Sequence, residues 1–244
     1  MKPHRGPTPH VQLVLASKVV SAADARRVTR ALQRQVRDHF GPVHGIQADV
    51  ELVPRGREDP AAWQIAIVDD GASGDDDGWH EVTAHGLPLG KVYARRVIAE
   101  TGGWSSSASH ELLEMLADPD MNLTVVAWDK HGSHLYAYEV CDPVQDDRCG
   151  YDIGGVLVSD FVYPAWFESF HKPGTVRFDH RGACERPLQV LAGGYAQVTH
   201  ADWVRGWRDV GPSRGRKGKP LGSRRGRRRT ARSQWRPSQL KPPR

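Results

Sequence analysis

The sequence predicts a single α+β domain: a twisted mixed sheet with an N-terminal helix and a second, polar-faced helix, then a hairpin-rich C-terminal part. Three observations predict it. Short apolar or alternating runs at 10–20, 47–53, 63–68 and 91–98 have the length and residue types of strands. Between the first two, Val28, Leu32, Val36 and Phe40 recur every four residues, which is a helical period. Past residue 122, two further apolar runs flank a polar turn, as in a hairpin.

The elements follow in order. Residues 10–20 form a first strand. Residues 22–40 form a helix, capped by Ser21 and ended by Gly41-Pro42. Strands at 47–53 and 63–68 are separated by a polar turn at 54–60. The acidic glycine loop at 69–78 lacks calcium-loop spacing and reads as a solvated connection. A fourth strand at 91–98 carries Arg95 and Arg96, which suits a sheet edge at the rim of a cleft. An exposed edge of this kind can hold an extended peptide by main-chain hydrogen bonds.

The next stretch, 105–120, carries the chemistry. Its serines can cap a helix, and Pro119 cannot continue one. Leu112, Leu113 and Leu116 fall on one face, and His110, Glu114 and Asp118 stack on another beside Glu111. In an H-E-x-x-H helix the outer residues bind zinc and the glutamate acts as general base on the bound water. Here the pattern is H-E-x-x-E, with His110 and Glu114 as metal ligands and Glu111 as catalytic base. A carboxylate in the second position still ligates zinc, and it also suits manganese or calcium.

A zinc site needs at least three protein ligands. The hairpin at 123–128 and 134–140 ends in YEVCDPV, so Glu139 is the first choice for the third ligand and Asp142 the second. His131 and His134 are nitrogen-bearing alternatives. His134 or Tyr138 could stabilise an oxyanion. Residues 151–170 hold a strand and an aromatic patch, in which Trp166 and Phe167 could wall a cleft. Residues 188–207 contain a strand pair around Gly193-Gly194 and end on Trp203 and Trp207.

Charge is unevenly placed. Residues 205–244 hold 15 Lys and Arg against one acidic residue, Asp209, so the basic balance resides in the tail and the body is acidic. The stretch 208–244 lacks apolar periodicity and should be disordered. It could contact nucleic acid or another polyanion by phosphate neutralisation without sequence readout, or it could serve only as a solubilising extension. Cys141, Cys149 and Cys184 form no C-x-x-C pair, and free thiols are expected. No signal peptide or apolar span is visible, which points to the cytoplasm and away from membranes.

Four segments (ASHELLEMLADPD, YEVCDPV, SDFVYPAWF and LAGGYAQV) resemble a family of uncharacterised bacterial and phage-associated proteins. Those proteins carry S-H-E-x-x-E-x-x-x-D-P followed by E-[VI]-x-D. The family is distantly similar to the zincin metallopeptidases, whose N-terminal subdomain has the same strand–helix–strand–strand–strand–helix order. The resemblance covers residues 10–207. It implies a zincin-like fold, His110 and Glu114 as ligands of one divalent metal, Glu111 as base, and Glu139 or Asp142 as the downstream ligand. The zincin pattern has histidine where this chain has Glu114. The expected function is metal-dependent hydrolysis of a peptide or protein substrate. The competing expectation is a binding protein, including a zincin-like shell without catalysis, delivered to a polyanion by its tail.

Overall fold

A computed structural model of the chain describes residues 8–70, 78–83, 85–129, 132–200 and 206–212. The architecture is α+β. Strand β1 (His10–Leu15) leads to helix α1 (Ala22–Arg34), where the Ser21 hydroxyl accepts from the Asp24 N–H at 3.1 Å. The predicted stop at Gly41-Pro42 does not hold. The helix widens into a π-turn at Gln35–Phe40 and adds α2 (Gly41–His44). It ends only at Gly45, whose φ of 72° is the left-handed cap that glycine tolerates. Gly41 instead allows a close approach, since a Cβ there would lie 2.8 Å from the Ile46 carbonyl oxygen. Pro42 sits in a first helical turn, where its missing N–H costs nothing.

Strands β2 (Asp49–Pro54), β3 (Trp63–Val68), β4 (Gly78–Val82) and β5 (Pro88–Tyr93) complete a five-stranded sheet of order β2-β1-β3-β5-β4. The first four in that order run parallel, and β4 joins antiparallel at the edge. Two sequence expectations are corrected here. The fourth predicted strand ends at Tyr93, and helix α3 (Ala94–Thr101) follows, burying Ala94 and Val97 on one helical face. Arg95 and Arg96 therefore belong to a helix, where Arg96 pairs with Glu100 one turn on at 2.9 Å. The edge strand on this side is β4, at the end of what read as the acidic loop; residues 71–77 of that loop lie outside the described residues.

Helix α4 (Ser105–Ala117) packs on β5, β4 and β3, and nearly every residue from Ser106 onward is buried. The main core joins Val11, Leu13, Ile65 and Ile67 of the sheet to Val28 and Leu32 of α1 and to Leu112, Leu113 and Leu116 of α4. Burial of such side chains is the main stabilising term, roughly 1.5–3 kcal/mol each. A buried polar network also ties the helices together. The Ser109 hydroxyl donates to Gln35 Oε1 at 2.7 Å, and Gln35 Nε2 donates to the Ser159 carbonyl at 2.9 Å.

Strands β6 (Thr124–Asp129) and β7 (Gly132–Ala137) form the hairpin, with a turn whose His131 lies outside the described residues. The short strands β8 (Tyr151–Asp152) and β9 (Leu157–Val158) pair with each other. The pair expected around Gly193-Gly194 is a single strand, β10 (Ala196–His200), which joins β7. A Cβ on Gly194 would sit 2.8 Å from the Asp142 carbonyl oxygen, so this glycine lets the chain close over Asp142 instead of forming a ladder. Strand β11 (Arg208–Val210) completes the second sheet, of order β11-β10-β7-β6. The ordered body thus continues past buried Trp207 into residues assigned to the tail; Trp203 and residues 213–244 lie outside the described residues. No described helix is long and apolar enough to cross a membrane.

The long loop after β9 is fastened by two fully buried carboxyls. Asp160 Oδ1 accepts from the Phe161 and Arg181 N–H groups, and Asp179 accepts from those of Ala183 and Cys184. Burial, then the Asp179 carboxyl, push Asp160 up to about 8. A raised carboxyl pKa contributes stability that is full below the unfolded value and is lost as pH rises through the folded one. The fold should therefore lose on the order of 1 kcal/mol per pH unit from this group as pH rises toward 8. In Asp160→Asn the amide can donate to Asp179 at every pH. Denaturant melts at pH 5 and pH 8 should show this variant gaining relative to the parent at the higher pH; an unchanged difference would contradict the raised Asp160 carboxyl.

Candidate metal centre

The site grows out of α4. Its serines do not cap it, contrary to the sequence reading: Trp104 stands at the N-cap, while Ser105 donates to the Leu157 carbonyl and Ser106 to Asp147. These bonds fasten the helix start to the loops beside it. At the other end Asp118 is buried and accepts from the Asn122 and Leu123 N–H groups, both at 2.9 Å. It shapes the chain's exit and belongs to neither donor group described below.

One helical turn sets the centre. His110 Nε2 lies 3.2 Å from Glu114 Oε2 and 3.3 Å from Asp142 Oδ1. Asp142 opens a 3₁₀ turn at Asp142–Val144, and the Cys141 N–H at its start donates to Glu114 Oε1 at 3.2 Å. The second histidine is His80, on edge strand β4. Its Nδ1 lies 3.0 Å from Glu111 Oε2 and 3.5 Å from Glu114 Oε2, and its Nε2 lies 3.7 Å from Glu139 Oε2. Both sequence candidates for the downstream ligand therefore reach the cluster, Asp142 at His110 and Glu139 at His80. Glycines make the approach possible. A Cβ on Gly78 would lie 2.9 Å from Glu111 Oε1, and one on Gly90 would lie 3.1 Å from Met115 Sδ.

The cluster is buried, and its titration follows from that. Burial opposes charge on His80, but Glu111 and then the Glu139 and Glu114 carboxylates outweigh it and raise its pKa to about 9. Burial opposes charge on His110 too, and Glu114 and Asp142 hold it well above the usual range. Burial would raise Glu114, but the His110 and His80 imidazoles bring it down to about 2. Asp142 goes the other way. Burial, then the Glu114 charge, push it up to about 8 despite His110. Behind it Tyr195 is held well above the usual phenol range, by burial and then by the Asp142, Glu114 and Glu139 charges. Protons alone can thus balance the cluster, and any cation entering it would have to displace them.

The donor set fits a metal ion. Bonds of 2.0–2.1 Å at tetrahedral angles place two ligand atoms about 3.3–3.4 Å apart. Charge-assisted N–H···O bonds are shorter, about 2.7–2.9 Å. The His110–Glu114 and His110–Asp142 separations of 3.2 and 3.3 Å match the first spacing better than the second. Two donor groups stand out, His110–Glu114–Cys141 and His80–Glu111–Glu114, each with its ligand atoms within 4.8 Å of one another. Burial first, and then the Glu114 charge, keep the Cys141 thiol protonated by raising it well above its usual range.

Four other side chains singled out in the sequence pack elsewhere. Trp166 and Phe167 are 1% and 3% exposed, so neither offers a wall to a substrate. The Trp166 indole N–H donates to the Gln189 carbonyl. Tyr138 stacks on Phe167 at 4.4 Å, and the buried His134 ring lies 4.5 Å from that of His200. Aromatic area went to the core. His80, Cys141 and Tyr195 are the cluster members that sequence reasoning missed. Only the alternation of Gly78, His80 and Val82 on one strand face hinted at the first.

Comparisons with protein-family models, curated proteins and solved structures return no match.

Proposed function

We propose that the protein is a metal-dependent hydrolase of peptide bonds on a zincin-like scaffold. The observation that carries this reading is that His110 Nε2 stands 3.2 Å from Glu114 and 3.3 Å from Asp142, both at the edge length of a metal polyhedron. The order strand, helix, four strands, then α3 and the His-Glu helix resembles that scaffold's order apart from the extra strand and α3. A divalent ion held by these residues would polarise the scissile carbonyl and lower the pKa of water. The imidazole among the donors favours zinc or manganese over calcium, which prefers oxygen ligands.

The chain's own residues do the rest. Glu111 takes the proton of the attacking water and passes it to the leaving amine. His80 Nδ1, 3.0 Å away, holds that carboxylate in place by donating to it. Strand β4, at the sheet edge among the described residues, can align an extended peptide beside His80 by main-chain hydrogen bonds. The test is cleavage of an unfolded protein substrate by zinc-loaded protein, with chelated protein as control. Turnover that requires the ion supports the reading, and equal turnover in both samples contradicts it.

The 15 basic residues of 205–244 favour a second, compatible property, polyanion contact. Because β11 belongs to the body, the informative truncation is after Pro212. It should abolish salt-sensitive binding to duplex DNA of arbitrary sequence and leave metal content unchanged. DNA binding that survives the truncation would contradict the role of the tail.

A further inference from the structure

We propose that the cluster holds two divalent cations, the second at His80 and Glu111, with Glu114 bridging the pair; when that ion is bound, His80 Nδ1 ligates it in place of donating to Glu111, and Glu111 keeps its other oxygen as the base. This rests on the reading that the first ion sits at His110, Glu114 and Asp142. Two observations carry it. The two donor groups are distinct and share one residue, Glu114. Within the second, His80 Nδ1 stands 3.0 Å from Glu111 and 3.5 Å from Glu114, spacings that bracket the edge of a metal polyhedron with bonds near 2.1 Å.

Second, the His80 side chain is 9% exposed, and its Nε2 has no hydrogen-bond partner among the described residues. A histidine buried this deeply beside three carboxylates is placed as a ligand is placed. One shared carboxylate suits ions about 3.5–4 Å apart, the usual spacing of two-metal sites.

Mixed carboxylate and imidazole donors suit manganese or zinc.

The experiment is equilibrium dialysis of chelator-stripped, full-length protein against Mn²⁺, with electron paramagnetic resonance at saturation. Two ions per chain are expected, with the exchange-coupled signal of a carboxylate-bridged pair. His80→Ala should bind one ion and lose the coupling. Saturation of the parent at one ion would overturn the second site and leave the hydrolase reading standing. Two uncoupled ions, or a second ion that survives in His80→Ala, would overturn it equally. Uptake of no ion would remove both proposals. The stoichiometry and coupling of the parent decide the matter even if the variant fails to fold.

Discussion

Glu114→Ala is expected to abolish tight metal uptake and to destabilise the chelated protein by about 3 kcal/mol, in the range for removing one partner of a buried ion pair. Glu114 Oε2 lies within 3.5 Å of both histidines, and Oε1 accepts the Cys141 N–H. Removing it strands two imidazoles that this carboxylate helps hold charged, and it leaves a buried N–H without its acceptor. Metal content by elemental analysis and denaturant melts in chelator measure the two effects. A variant that still takes up the ion at the parent's affinity would show that Glu114 is not the hub. Glu114→Gln keeps the shape and removes the charge. It should lose the metal while losing less stability.

Glu111→Gln should lower turnover about 10²- to 10⁴-fold, the usual contribution of a positioned acid–base group. The ion at His110 should remain, because Glu111 is not among that ion's donors. Substrate KM should change little. The amide fits the pocket beside Gly78 and can still meet His80, so the fold should stand. Unchanged turnover would move the proton-transfer role to another group. Loss of the His110 ion would mean that Glu111 supports the site structurally.

The two expectations draw on parts of the site that differ in how far the sequence reveals them. His110, Glu111 and Glu114 lie within one turn of a helix, where spacing alone fixes which side chains share a face. Asp142 was legible because Asp-Pro starts a turn directly after a strand. His80 was not. It reaches the cluster only through the register of β4 on β5, which sets His80 opposite Gly90, and that pairing is a tertiary fact. The helical run past Arg34 failed for a local reason. Gly41-Pro42 is a strong breaker signal, but both residues are accommodated in a fresh turn. Val97 and Ile98 read as strand because they are β-branched, yet burial of Ala94 and Val97 one turn apart decided for helix. Trp166, Phe167 and Tyr138 suggested a cleft because aromatics serve both cores and binding sites, and only packing tells the two apart.

The most direct test is anomalous diffraction at the zinc edge from crystals of the full chain grown with Zn²⁺. The account predicts a strong peak bonded to His110 Nε2, Glu114 and Asp142, at distances near 2.0–2.2 Å. A map with no peak there, and with His110 instead in a short direct hydrogen bond to a carboxylate, would contradict it.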